Sequence, residues 1–168
     1  KYLNEDNYNV WSCSAILICD PNNPTGVKLD DVYLYNEIVK LTQKGVIVIF
    51  DSPYRNIFTK DDLFLKLSKL ENVIITESFS KSLGISGLRI GFIHSNDQAF
   101  NDELNIRLLY EFNGVNTLSQ IIVEKLLSTI EGKKAVTDFK NETKKHIKLN
   151  IDYLIKNNLL TSKLYQTT

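Results

Sequence analysis

The chain has 168 residues, 43% of them apolar and 24% charged, a balance that suits one globular domain. Its 20 basic and 20 acidic residues cancel, so no net field draws it to nucleic acid or an anionic membrane. No apolar run approaches the roughly 20 residues that span a bilayer, and no signal peptide opens the chain, so a cytoplasmic location is expected. Cys13 and Cys19 fall on one face of a strand, too far apart to bridge easily, and read as reduced thiols. The chain starts at Lys1 and contains no Met, which leads us to expect a piece of a longer protein.

Residues 1–12 have no clear period and read as an irregular lead-in. Ala15 to Cys19 is a short continuous apolar run, suited to a strand covered on both faces. It ends at Asp20-Pro21-Asn22-Asn23-Pro24-Thr25-Gly26, a loop dense in turn formers. Asp30 or Asp31 caps the next helix, which carries Leu34, Ile38 and Leu41 at helical spacing and ends at Gly45. A second buried strand, Val46 to Asp51, leads into the loop Ser52-Pro53-Tyr54-Arg55. A short helix over 61–70 then precedes a third strand, 73–77.

Two strand–helix–strand crossovers in succession give parallel, right-handed connections. The fourth strand, 88–94, follows the third too closely for a parallel crossover and is expected to be antiparallel. Helices are predicted over 97–112, 116–130 and 133–158, the last with an apolar stripe at Val136, Phe139, Ile147, Ile151 and Leu154. The lysines on its other faces read as a solvated surface, since no aromatic residues interleave with them as a nucleic-acid patch would require. The predicted class is α/β with a mixed, mostly parallel sheet.

Turn residues concentrate at one edge of that sheet, the carboxyl end of the parallel strands, where open α/β sheets bind ligands. The polar residues collected there are Asn23, Asp51, Tyr54, Ser78, Lys81 and Arg89. Singly, each has a structural reading: a turn former, a strand-end cap, a half-buried aromatic, a surface ion pair. Lys81, at the end of a strand expected to be buried, reads as a reactive amine. Ser78-x-x-Lys81 also fits the nucleophile motif of penicillin-binding proteins and serine β-lactamases. We reject that reading, because no S-D-N or K-T-G follows and because the motif should open a helix rather than end a strand. Gly84, Gly87 and Gly91 do not match the dinucleotide fingerprint G-x-G-x-x-G. There is no H-E-x-x-H or paired C-x-x-C, His94 and His146 stand alone, and no metal site is expected.

Taken together and in this order, the strand-end residues resemble the class I/II aminotransferases, pyridoxal-phosphate enzymes of fold type I. Asn23-Pro24-Thr25-Gly26 is similar to their N-P-T-G loop, Asp51-x-x-Tyr54 to their D-x-x-Y, and Ser78-x-Ser80-Lys81 with Arg89 to their S-x-S-K…R segment. The resemblance covers residues 15–94 and implies the central part of a three-layer α/β/α large domain. It divides the chain into a partial cofactor-binding domain, 1–132, and a linking helix with the start of a small domain, 133–168.

The resemblance also implies roles. Lys81 attaches to the cofactor aldehyde as a Schiff base and later shuttles protons. Asp51 pairs with the pyridinium nitrogen, Asn23 and Tyr54 hydrogen-bond the ring oxygen, and Ser78 and Arg89 hold the phosphate with help from Ser80. The physical logic supports these assignments. A carboxylate about 4 Å from the ring nitrogen, at an effective dielectric near 20, is worth roughly 4 kcal/mol and keeps that nitrogen protonated. An arginine fork and a serine hydroxyl suit a phosphate.

Two departures stand out: Ser52 where the family often has glutamate, and Asp20 where it often has asparagine. The resemblance places the family's phosphate-binding glycine turn and ring-stacking aromatic before residue 1. It places the arginine that grips the substrate carboxylate in the C-terminal domain. The expected activity is amino transfer from an amino acid to a 2-oxo acid in a homodimer, with 113–117 near the subunit junction. A decarboxylase or lyase using the same lysine, and the effector domain of a transcription regulator, are the alternatives.

Overall fold

A computed structural model of the chain describes residues 13–58 and 62–160. The lead-in 1–12, Asp61 and the last residues of the expected small domain lie outside them. Four strands, β1 (Ala15–Cys19), β2 (Ile47–Asp51), β3 (Val73–Ser78) and β4 (Gly91–Ser95), form one sheet in the order β1-β2-β3-β4. The first two pairings are parallel and the third is antiparallel, as the connection lengths predict.

Helix α1 (Asp31–Gln43) links β1 to β2; the short helices α2 (Arg55–Phe58) and α3 (Asp62–Leu67) link β2 to β3. Asp30, not Asp31, is the N-cap of α1, its carboxylate accepting from the Val32 and Tyr33 N–H groups. Leu34, Ile38 and Leu41 of α1 and Leu63 and Leu67 of α3 pack on Val48, Phe50, Val73 and Ile75 to form the core. Each fully buried Leu, Ile or Phe in that cluster contributes about 2 kcal/mol of transfer free energy.

Only this face of the sheet is closed by the described residues. On the other, Leu17 is 66% exposed and Ile47 39%, so among the described residues β1 is covered on one face, where its apolar run leads us to expect both. An apolar run shows that a strand can be buried, but not what lies over each face.

Beyond β3 the chain makes a four-residue helix, α4 (Phe79–Ser82), then a 3-10 turn (Ser86–Leu88) before β4. The fourth strand therefore starts later than its apolar pattern suggests. Leu88 belongs to the turn, and Arg89 takes a left-handed conformation with φ of 49°. Gly91 faces Ser78, and a Cβ there would stand 2.3 Å from the Glu77 carbonyl oxygen, which explains the glycine.

Helices α5 (Gln98–Phe112), α6 (Thr117–Ser128) and α7 (Ile130–Lys156) follow among the described residues. Thr129 ends α6 and caps α7, so α7 begins three residues before its predicted start; Gly132 lets it pass the end of α6, since a Cβ would meet the Lys125 carbonyl oxygen at 2.3 Å. Of the predicted stripe on α7, Val136, Ile147, Ile151 and Leu154 are half-buried, and the Phe139 ring, 37% exposed, lies over Gly84 in the loop after α4. No helix among the described residues is long and apolar enough to cross a membrane.

Candidate active site

The three strand ends that carry the sequence motifs lie side by side. Cys19, Asp51 and Thr76 form one row across β1, β2 and β3, and Ser78 ends β3 two residues further on. Residues in register on parallel neighbours project to the same face, so this row is a single polar ledge. Asp51 accepts a hydrogen bond on Oδ1 from the Thr76 hydroxyl at 2.8 Å. Among the described residues no lysine or arginine is paired with Asp51. Its charge is held by a neutral donor.

The loops after β1 and β2 meet above the ledge. The Asn23 amide donates to the Tyr54 hydroxyl oxygen at 3.4 Å, which leaves the phenolic hydrogen free to donate elsewhere. Lys81, on α4, places its Nζ 5.9 Å from the centre of the Tyr54 ring, within cation–π range. Asn23, Tyr54 and Lys81 are thus brought together from three separate loops.

Ser78 closes β3 and caps α4, its Oγ accepting from the Ser80 N–H at 3.2 Å. The Ser78 hydroxyl hydrogen is not used in that bond. Ser80 contributes its backbone N–H, and its own hydroxyl has no partner among the described residues. Arg89 is held by its own loop, donating to the Ser86 carbonyl at 3.1 Å, and no hydrogen bond joins it to Ser78 or Ser80. It is exposed, two residues before Gly91, the partner of Ser78.

Two expectations need correction. Lys81 is exposed rather than buried, because the α4 turn lifts it clear of the strand. Ser78-x-x-Lys81 does open a helix, short as it is, so that ground for rejecting the β-lactamase motif fails; the missing S-D-N and K-T-G still exclude it.

Beneath the ledge lies a buried ionic cluster that the motifs do not reveal. Arg55, wholly buried, donates from Nη1 to Asp20 Oδ2 at 2.6 Å and from Nη2 to Asp31 Oδ1. The other Asp20 oxygen accepts from the Leu29 N–H at 2.7 Å. Burial pushes the Asp20 carboxyl above its ordinary value, while the Leu29 N–H and the Arg55 and Lys28 charges pull it back. Burial also acts upward on Asp31, but hydrogen bonds from Arg55 and Lys28 outweigh it and hold that carboxyl below its ordinary value.

Asp20 opens the Asn23 loop and Arg55 follows Tyr54, so the cluster ties together the two loops whose tips meet in the Asn23–Tyr54 bond. Cys19, at the other end of the row from Thr76, is a free thiol whose Sγ lies 3.5 Å from the Pro21 carbonyl oxygen. Burial pushes this thiol above its ordinary value, the Asn23 backbone opposes it, and the Asp51 and Asp20 carboxylates add to it. His94 lies with Nε2 3.1 Å from the Ser68 carbonyl oxygen, and exposed His146 faces Glu142 at 3.0 Å. Neither enters the site.

The sequence model described as "Aminotransferase class I and II" matches residues 1–159. The chain belongs to the class I and II aminotransferase family. It is 35% identical over 116 residues to a histidinol-phosphate aminotransferase of Pyrococcus furiosus, a match covering 69% of this chain and 32% of that protein. It is 32% identical over 157 residues to one from Caldanaerobacter subterraneus, covering 87% and 42%. Among solved structures it is similar to the aromatic aminotransferase of Pyrococcus horikoshii, with a TM-score of 0.78, 26% identity, and coverage of 97% of this chain and 45% of that one. The chain spans less than half the length of the relatives it matches.

The fold is accordingly that of the fold type I aminotransferases. It is also found, at 19% identity and a TM-score of 0.66, in a C–S lyase of Staphylococcus hominis solved with pyridoxal phosphate bound. Fold alone does not select between amino transfer and elimination.

Proposed function

We propose that the full-length protein is a pyridoxal 5'-phosphate-dependent aminotransferase. It moves an amino group from an amino acid to a 2-oxo acid, with Asn23, Asp51, Tyr54, Ser78, Ser80, Lys81 and Arg89 holding the cofactor. The observation that carries this reading is the convergence of the Asn23–Tyr54 hydrogen bond, the Lys81 ammonium beside Tyr54 and a strand-end carboxylate, Asp51, that has no cationic partner among the described residues. That donor set fits the group: a carboxylate for a protonated ring nitrogen, a phenol with its hydrogen free for an anionic oxygen, and an amine for an aldehyde. When bound, pyridoxal phosphate supplies an aldehyde that takes up the amine and a ring that accepts electron density from the adjacent carbon.

The residues then divide the work. Asp51 holds a proton at the ring nitrogen. Tyr54, oriented by Asn23, donates to the ring oxygen. The Ser78 hydroxyl, freed by the way Ser78 caps α4, and the Arg89 guanidinium bind the phosphate, with Ser80 beside them. Lys81 is exposed on a short turn flanked by a glycine-bearing loop, so it can remove a proton from the substrate Cα and redeliver it without movement of the sheet.

The names of the relatives make histidinol phosphate the first amino donor to test, and aromatic amino acids the second. We place the protein in the cytoplasm, consistent with its two free thiols. We assign it a homodimeric state, supported by the exposed apolar side chains of Leu109, Tyr110, Phe112 and Leu118 on either side of residues 113–117.

The test is a panel of amino donors added to the cofactor-loaded full-length protein without an acceptor. One stoichiometric loss of the aldehyde absorbance, reversed by a 2-oxo acid, is the expected result. Continuing release of carbon dioxide or ammonia would replace transfer with decarboxylation or elimination. No response across a broad panel would favour the effector domain of a transcription regulator.

A further inference from the structure

We infer that Thr76 is a positioning residue, whose hydroxyl orients the Asp51 carboxylate toward the ring nitrogen of the cofactor. The inference rests on the role proposed above for Asp51.

Thr76 is opposite Asp51 in the β2–β3 register, and its Oγ1 donates to Asp51 Oδ1 at 2.8 Å. A threonine hydroxyl has one hydrogen, and here it is committed to that carboxylate. Threonine is branched at Cβ and stiff about χ1, so the strand delivers the hydroxyl to a fixed place. The aspartate torsion it restrains, χ2, is otherwise broad. Thr76 is itself pinned, since its carbonyl accepts from the Ser52 N–H at 3.0 Å and from the Ser52 hydroxyl at 3.4 Å. Thr76 therefore grips the end of β2 twice, through the side chain of Asp51 and through the residue that follows it.

The donor is also neutral. A lysine or arginine at this position would compensate the Asp51 charge and compete with a protonated ring nitrogen. A hydroxyl fixes the carboxylate and leaves its charge to the ligand.

The experiment compares two ligands on the full-length apoprotein by calorimetric titration. Pyridoxine phosphate has the ring and phosphate but no aldehyde to react with Lys81. Its carbocyclic counterpart replaces the ring nitrogen with C–H. The ratio of the two affinities reports the ring-nitrogen contact and is insensitive to general damage, which weakens both ligands alike.

The wild-type protein should prefer the nitrogen ligand, and Asp51→Ala should abolish the preference. Thr76→Val, of the same shape, and Thr76→Ala should each reduce the preference about tenfold, as expected for loss of a hydrogen bond to a charged group. Thr76→Ser, which keeps the hydroxyl, should restore most of it. If Thr76→Val or Thr76→Ala keeps the wild-type ratio, or Thr76→Ser loses as much as Thr76→Val, the hydroxyl does not position Asp51 and the inference is overturned. If the wild-type protein shows no preference, or Asp51→Ala retains it, the reading of Asp51 fails and the inference goes with it.

Discussion

Replacing Arg55 by methionine tests whether the buried cluster under the site sustains the two loops above it. Arg55 is 0% exposed and its partner Asp20 1%, so the substitution strands a carboxylate in a site that water does not reach. Breaking a buried pair by removing one partner costs about 3–5 kcal/mol. The lower end is expected here, because Asp20 keeps the hydrogen bond from the Leu29 N–H and can take up a proton.

The pH dependence has a definite sign. Burial already raises the Asp20 carboxyl in the native protein, and loss of the arginine removes one of the charges that pull it back. A carboxyl whose folded value lies above its unfolded value binds its proton more tightly when folded. The stability it contributes is complete below the unfolded value and is lost as pH rises through the folded one. The deficit of Arg55→Met should therefore be largest at neutral pH and shrink toward about pH 4.

Urea unfolding of the full-length protein at several pH values measures this directly. Adding Asp20→Asn, the residue the family often carries there, should recover about 1–3 kcal/mol at neutral pH through the coupling of the two sites. A cost below about 1 kcal/mol at neutral pH, or a deficit that grows on acidification, would refute the reasoning.

Gly91→Ala should cost about 2 kcal/mol and weaken cofactor binding, because the added methyl would meet the Glu77 carbonyl oxygen and force apart the pairing that sets Ser78; chemical denaturation and cofactor titration check both effects. Cys19 should be alkylated by iodoacetamide more slowly at pH 8 than a free cysteine, since burial and the neighbouring carboxylates keep its thiol protonated; rate measurement with peptide mapping decides it, and a faster rate would contradict the assigned environment. Asp51→Ala in the full-length enzyme should slow amino transfer on the order of a thousandfold, the rate equivalent of roughly 4 kcal/mol, and Asp51→Glu should recover part of it; near-normal turnover would make Asp51 merely structural.

Much of this was legible in the sequence, for physical reasons that differ by element. Apolar runs bounded by turn residues mark β1, β2 and β3, and the short connection from β3 forbids a parallel β4. Helix α7 shows its apolar stripe over several turns. The elements that escaped are too short for a period: α2 and α4 each have only four residues, and α4 sits inside the motif that carries Lys81.

The site was legible as a set of residue types at strand ends, and its internal wiring was not. Register decides that Thr76 faces Asp51, and nothing in the apolar pattern of β3 specifies register to one residue. Arg55 follows Tyr54 in the motif loop, but its partners Asp20 and Asp31 lie 35 and 24 positions away and only the fold unites them. Asp20, a small departure from the family pattern, is an anchor of that buried cluster.

The central claim is that these strand ends hold pyridoxal phosphate with Lys81 as its point of attachment. Borohydride reduction of the cofactor-loaded full-length protein, followed by proteolysis and mass mapping, tests it most directly. The account predicts one reduced adduct, on the peptide carrying Lys81. An adduct on any other lysine, or none after saturation with the cofactor, would contradict it.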